Sequence, residues 1–276
     1  MTEKKLNNTI FAELEQRGYV IVENLLAKDQ VTQMAAAARR LLKPWQEVKE
    51  DPPQDRLSTH FFPYPEQVLN EAIVHREAIA FAQRYLGTQA IHYRPGLLMC
   101  TYPGRGGHGG MDFHMDNGNN SLLPPTSERR HAQLNFWFYL EDVDAEQAPT
   151  LFVAKTDGRD EKKAQAFVAP AGSVAIFDNY SWHAASPYKR KDGQRYVWKF
   201  AYGRDDHYWE GVAHYTQAGS DPHFRHFISA LSARDRELFR FPPAGHLYYT
   251  REMLAALEEH YPGWNARGEY APSDAR

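Results

Sequence analysis

The chain has one cysteine, Cys100, in 276 residues. A single thiol excludes an intrachain disulfide and any zinc knuckle built from thiolates, and it fits a reducing compartment. Basic residues are not in excess: 32 Lys and Arg stand against 35 Asp and Glu, for a formal net charge of -3. That balance leaves no basic stripe to neutralise many phosphates, so nucleic acid is not an expected partner. No uncharged apolar run approaches 18 residues, and the opening MTEKKLNNTIFAELEQ has no apolar signal core. The expectation is a cytoplasmic protein with no membrane association. Internal repeats and low-complexity tracts are also missing. What remains is 42% hydrophobic, 13% aromatic and 24% charged residues. This composition can bury a core, and the length suits one β-rich domain with helical embellishments.

Helical and extended textures alternate along the chain. A short helix around FAELEQRG precedes GYVIVEN, where β-branched residues after a glycine predict a strand. From 28 to 43, Val31, Met34, Ala35, Ala38, Leu41 and Leu42 recur with helical spacing, and Val74, Ala78, Phe81, Ala82, Tyr85 and Leu86 form a second such face, capped by Gly87. Between them residues 45 to 66 have no clear period and read as a loop or lid. Short runs rich in Val, Ile, Phe, Tyr and Trp follow, from IHYRPGLLMCTYP to RYVWKFAYG, and predict a sandwich, barrel or jelly roll. Helical period returns after 204, at Phe224, Phe227, Ile228 and Leu231 and again at Met253, Leu254 and Leu257. The expected organisation is a single domain: 1–88 an N-terminal helical region and lid, 89–204 the β core, 205–276 a C-terminal helical extension.

Within the β-rich part, DFHMDNGNN places His114 and Asp116 two residues apart. On extended backbone residues i and i+2 share a face, so the pair can aim at one point. One histidine and one carboxylate make two thirds of the facial triad that holds non-heme Fe(II), and a second histidine would complete it. His183, in SWHAAS, is 67 residues beyond Asp116, enough chain for a rolled sheet to return it to the pair; the competing reading is a buried histidine satisfied by the backbone. Arg195 opens a strand on which Arg195, Val197, Lys199 and Ala201 share one face and Tyr196, Trp198, Phe200 and Tyr202 the other. An inward arginine needs a carboxylate, either from an internal ion pair or from a dicarboxylic cosubstrate that also chelates the metal. On the strand at 133–140, Gln133, Asn135, Trp137 and Tyr139 alternate with Leu134, Phe136, Phe138 and Leu140, so the polar set faces the site.

The order of these elements resembles the phytanoyl-CoA dioxygenase-like branch of the Fe(II)/2-oxoglutarate-dependent oxygenases. The resemblance runs from GYVIVENLLAKDQV through FHMD and QLNFWFYLEDVDAEQAPTLFVAKT to GSVAIFDNYSWHAAS and QRYVWKF. It implies a mainly β fold with flanking helices around a double-stranded β-helix, or jelly-roll, core. It also implies Fe(II), 2-oxoglutarate and O2 as cofactor and cosubstrates. His114, Asp116 and His183 are the implied iron ligands and catalytic residues, and Arg195 the implied anchor for the distal carboxylate of 2-oxoglutarate. Gln133, Asn135, Ser186 and Thr101 are the further candidates for holding that cosubstrate. Two departures bear on the site. Ala185 stands where the family carries a small hydroxyl residue, with Ser186 one position on, and AEQAPTLFVAKT lacks the family's flanking glycine and glycine-serine-histidine. Halogenating members of the family have a small residue where Asp116 stands, so hydroxylation of an unactivated C–H bond, with release of succinate and CO2, is the implied reaction.

Substrate choice falls to the loops PGRGGHGGMDF and NGNNSLLPPTSERRH. Arg105, His108, Phe113 and Asn117 are the candidate contacts with a small-molecule substrate, a solvated surface being the competing reading for the charged ones. Two rival readings share the barrel: a cupin-like zinc or manganese enzyme with the same three ligands, and a binding module without catalysis. Aromatics in HFFPYPE and LYYTREM permit a homodimer.

Overall fold

The computed structural model describes residues 5–105, 113–115, 133–206, 221–270 and 272. Helix α1 (Asn8–Arg17) starts where the Asn7 side chain accepts from the Thr9 and Ile10 amides, and it ends at Gly18, whose φ of 82° closes the last turn onto Leu14. Strand β1 (Tyr19–Val22), α2 (Lys28–Leu41), α3 (Trp45–Val48), β2 (Leu57–Phe61), α4 (Gln67–Glu71) and α5 (Arg76–Leu86) follow. The long β3 (Ile91–Thr101) leads to β4 (Gln133–Tyr139), β5 (Leu151–Val153), β6 (Gln165–Ala166), β7 (Val174–Asp178), β8 (Trp182–Ala184) and β9 (Arg195–Arg204). Helices α6 (Pro222–Ala230), α7 (Ala233–Arg236), α8 (Arg251–His260) and α9 (Ala266–Glu269) complete the described chain.

The strands form two antiparallel sheets, in the orders β1-β7-β4-β9-β3-β2 and β6-β5-β8. Alternation along β4 and β9 decides which side each face takes. Leu134, Phe136, Phe138, Tyr196, Trp198, Phe200 and Tyr202 pack into a core shared with the helices. The opposite face supplies Tyr139, Ala175, Phe177 and Val197, which meet Phe152 of the smaller sheet in a second core. Tyr19 stacks on Phe152 with centroids 4.8 Å apart, holding the two sheets together at this point. Helices, large sheet and small sheet are therefore three layers, and the expected jelly-roll core with flanking helices is what the chain adopts. Burying the aromatic face is the main driving force, at about 25 cal/mol for each Å² of apolar surface removed from water.

The segment 45–66 is not the featureless loop that its mixed composition suggests. It contains α3 and β2, and β2 pairs with β3 from Leu57↔Thr101 to Phe61↔Leu97 as the sheet's edge. Prolines on either side and a half-exposed burial pattern hid that strand, since neither face of an edge strand this short shows a clean period. The strand expected at GYVIVEN is present as β1, which pairs with β7 at the other edge. The predicted helices at 28–43 and 74–86 are present as α2 and α5, with Gly87 at φ 69° as the α5 cap.

One glycine sets how closely two strands of the large sheet approach. The β3–β9 register shifts between Arg94 and Leu97, and a Cβ on Gly96 would lie 1.7 Å from the Lys199 carbonyl oxygen. Backbone cannot yield there as a flexible side chain would. Gly96→Ala is expected to cost about 3 kcal/mol, lowering Tm by roughly 6–12 °C in a chain of this size. A thermal melt of the variant within 2 °C of wild type would show that the bulge relaxes freely.

Candidate active site

His114 and His183 meet although they lie far apart in sequence. The His114 amide donates to the His183 carbonyl at 2.9 Å, and the His183 amide returns the bond to the His114 carbonyl at 3.0 Å. This isolated antiparallel bridge makes the two residues direct partners. Side chains of such partners project to the same face, and the two imidazole centroids are 4.5 Å apart. His183 is 1% exposed and its ring sits among Phe177, Trp137 and Phe152, at 4.9, 5.7 and 5.9 Å between centroids. Its Nδ1 is 3.0 Å from the Ser181 carbonyl oxygen. A carbonyl only accepts, so Nδ1 is the donor in this contact, and in the neutral ring that leaves Nε2 as the nitrogen a metal would take.

Asp116, the third expected ligand, and the substrate candidates His108 and Asn117 lie outside the described residues. Among the described residues no three histidine, cysteine or carboxylate groups cluster as a metal site would. Cys100 contributes nothing of that kind: burial pushes its thiol up to about 12, which keeps it neutral.

Arg195 opens β9 directly opposite Thr101 of β3. It is 4% exposed, and its Nη2 donates to the Thr101 hydroxyl at 3.3 Å. Among the described residues Nε and Nη1 meet no acceptor and no carboxylate pairs with the guanidinium. Burial pushes its pKa below the ordinary arginine value; Tyr139 opposes that shift, while the like charge of Arg105 adds to it. Tyr139 stands beside it, the guanidinium carbon 5.8 Å from the ring centroid and the phenol hydrogen-bonded to Thr150 at 2.7 Å. A buried, charged fork with two unused donor nitrogens is a costly arrangement that an anion would relieve. Thr101 spends its oxygen as the acceptor, and its own proton meets no acceptor among the described residues.

The other candidates fall into two groups. Asn135 lies on the face of β4 turned toward the small sheet, and its buried Nδ2 has no acceptor among the described residues. Gln133, 3% exposed, accepts from the Arg94 guanidinium through Oε1 while its backbone pairs with Asn179. Ser186 donates to the Pro149 carbonyl at 2.5 Å, so its hydroxyl is committed to the loop before β5 and not to Arg195. Lys199 places its ammonium 4.2 Å from the Trp137 ring centroid, a cation–π contact. Phe113 stacks on Trp182, centroids 6.3 Å apart, and Arg105 reaches the Asp55 carbonyl at 2.9 Å.

A cleft of about 1000 Å3 lies away from the histidines, between α2 and the loop after β4. Both its arginines are paired within the lining, Arg39 with Glu141 and Arg190 with Asp144, so it reads as solvated surface.

Residues 14–195 match the family model described as Phytanoyl-CoA dioxygenase (PhyH). No curated protein matches the chain. Among solved structures, the non-heme alpha ketoglutarate dependent carbocyclase SnoK from nogalamycin biosynthesis is similar at 17% identity and a TM-score of 0.57, over 77% of this chain and 89% of that one. The epimerase SnoN, solved with Fe3+, alpha ketoglutarate and nogalamycin RO, is similar at 17% identity and 0.52, over 71% and 82%. EvdO2 from Micromonospora carbonacea var. aurantiaca, complexed with 2-oxoglutarate, is similar at 16% identity and 0.52, over 72% and 93%. At these identities the likeness is one of fold.

Proposed function

The chain belongs to the phytanoyl-CoA dioxygenase family, and from that membership we propose an Fe(II)/2-oxoglutarate-dependent oxygenase that hydroxylates an unactivated C–H bond of a small organic molecule. The observation that carries the reading is the backbone bridge that sets the His114 and His183 rings side by side, with His183 Nδ1 turned to the Ser181 carbonyl. His114, Asp116 and His183 would hold the iron, and Arg195 would receive the distal carboxylate of 2-oxoglutarate. The donor set fits: two imidazoles and a carboxylate suit ferrous iron, and Arg195 has two buried nitrogens ready for an anion. When bound, the metal and 2-oxoglutarate supply oxygen activation and release succinate and CO2.

The chain's own residues do the positioning. Arg195 fixes one end of the cosubstrate through a planar fork, and the Thr101 proton adds a neutral donor beside it. Asn135 offers an amide donor from the floor of β4. Phe177, Phe152 and Trp137 wall His183 off from solvent, which strengthens every polar contact inside. Arg105 and Phe113 belong to the substrate side of this reading, and a single oxygenase domain spanning 1–276 belongs to it as well. Phe61, Leu247 and Tyr248 are among the exposed large apolar groups of the described residues, and a homodimer would cover them.

The test is anaerobic titration of purified metal-free protein with Fe(II) and then 2-oxoglutarate. A weak visible charge-transfer band that forms only when both are present is the expected result. Iron uptake with no band, or preference for zinc or manganese with no response to 2-oxoglutarate, would overturn the reading in favour of the cupin-like alternative.

A further inference from the structure

The turn between β7 and β8 is built more heavily than a strand connection requires. Asp178, Asn179 and Ser181 are each 1% exposed. Asp178 Oδ1 accepts from the Tyr180 amide at 3.0 Å and from the Ser181 hydroxyl at 3.0 Å. Its Oδ2 accepts from the Tyr85 hydroxyl of α5 at 2.8 Å and from the Lys155 ammonium, which follows β5. The Ser181 amide donates to the Asp178 carbonyl at 3.1 Å, and the Ser181 hydroxyl also lies 2.5 Å from the Gly18 carbonyl. Gly18 can sit this close only without a side chain, because a Cβ there would lie 2.9 Å from Ser181 Oγ and 2.8 Å from Lys155 Cε. Asn179 ties the same turn to the start of β4, through its Oδ1 and the Gln133 amide at 2.7 Å.

A buried carboxylate is expensive, and two strands can be joined by a turn that needs none. Here groups from α5, the loop after β5, the α1–β1 junction and β4 converge on a four-residue turn that presents the Ser181 carbonyl to the site as the acceptor for His183 Nδ1. We propose that Asp178, held by Lys155 and Tyr85, is a positioning residue that fixes the Ser181 carbonyl and through it the tautomer and orientation of the His183 imidazole as a metal ligand. The metal part of this inference rests on the iron reading above; the tautomer part stands on the metal-free chain.

Asp178→Asn keeps the shape and replaces one acceptor oxygen by an NH2 group, which cannot accept from Lys155, Tyr85 or the Tyr180 amide. Partners of this kind typically set metal affinity by 10–100-fold, so Fe(II) affinity is expected to fall by about that factor. The second readout is the His183 tautomer in metal-free protein, from long-range 1H–15N NMR assigned by difference from His183→Gln. Wild type is expected to show the Nδ1-protonated form, and Asp178→Asn a mixture. Lys155→Met is the companion variant, because the Lys155 side chain is 41% exposed and its removal leaves the turn's backbone bonds in place. It should shift the tautomer and the affinity in the same direction by less. Should Asp178→Asn fail to fold, Lys155→Met decides alone. Folded variants with the wild-type tautomer and an Fe(II) affinity within twofold would overturn the proposal, whatever their melting temperature. Wild type that binds no iron would remove the iron reading, while the tautomer comparison would still decide the role of Asp178.

Discussion

His183→Ala is expected to abolish 2-oxoglutarate turnover and to weaken Fe(II) binding by more than about 100-fold, since even partners one bond removed from a ligand cost 10–100-fold. The chain should still fold. The bridge to His114 is made by main-chain atoms, the two amides and two carbonyls, and alanine keeps both bonds. What is lost is a ring packed against Phe177, Trp137 and Phe152, a cavity cost of about 1–3 kcal/mol that the large aromatic core can absorb. The variant therefore separates fold from chemistry. Succinate release measured with and without candidate substrates, beside a circular dichroism melt, gives both answers. Full turnover in a folded His183→Ala protein would remove His183 from the metal and sink the oxygenase assignment. His114→Ala should behave alike, because the two rings are equal partners across one bridge.

How much of this was legible in the sequence depends on strand length. Along β9, ten residues long, the alternation of Arg195, Val197 and Lys199 with Tyr196, Trp198 and Phe200 is unambiguous, and the structure puts Tyr196, Trp198 and Phe200 in one core and Val197 in the other as the period requires. The seven residues of β4 behave the same way. The small sheet is different: β5, β6 and β8 have three, two and three residues, too few to show any period, although one of them carries His183. Its histidine was legible only because its chemistry demanded a partner for the H-x-D pair. The turn that orients His183 was not legible at all. DNYS reads as an ordinary polar turn, and only tertiary structure brings Tyr85 and Lys155, 93 and 23 residues away, onto its aspartate. Ser186 shows the limit from the other side. It stands one residue from where the resemblance puts a hydroxyl, yet that step along the chain leaves it facing the Pro149 carbonyl. The hydroxyl beside Arg195 instead comes from Thr101, on the neighbouring strand and opposite in register.

Arg195→Met is expected to raise the melting temperature of the metal-free chain while removing its response to 2-oxoglutarate. Arg195 is a buried cation with no carboxylate among the described residues, and desolvation is the largest influence on it. Replacing such a charge by an apolar side chain of similar length commonly stabilises by about 1–4 kcal/mol, which at this size corresponds to roughly 2–4 °C for each kcal/mol. The bound state reverses the sign. A dicarboxylate on the guanidinium converts the isolated charge into a paired one, and losing one partner of a buried pair costs about 2–5 kcal/mol, so the dissociation constant for 2-oxoglutarate should rise by about 30–5000-fold. Wild type with Fe(II), at 2-oxoglutarate a hundred times its dissociation constant, gains about 2.7 kcal/mol; the variant at the same concentration should gain less than about 1 kcal/mol. Added ligand thus raises the wild-type melting curve much more than the variant's and narrows or reverses the gap between them. Arg195→Lys should lie between them, because a lysine keeps the charge and loses the fork. If Arg195→Met instead melts lower without ligand, the guanidinium already has an anionic partner in the free protein. If it melts higher but still responds to 2-oxoglutarate as wild type does, the cosubstrate is anchored elsewhere, and Arg195 stores strain for a different ligand.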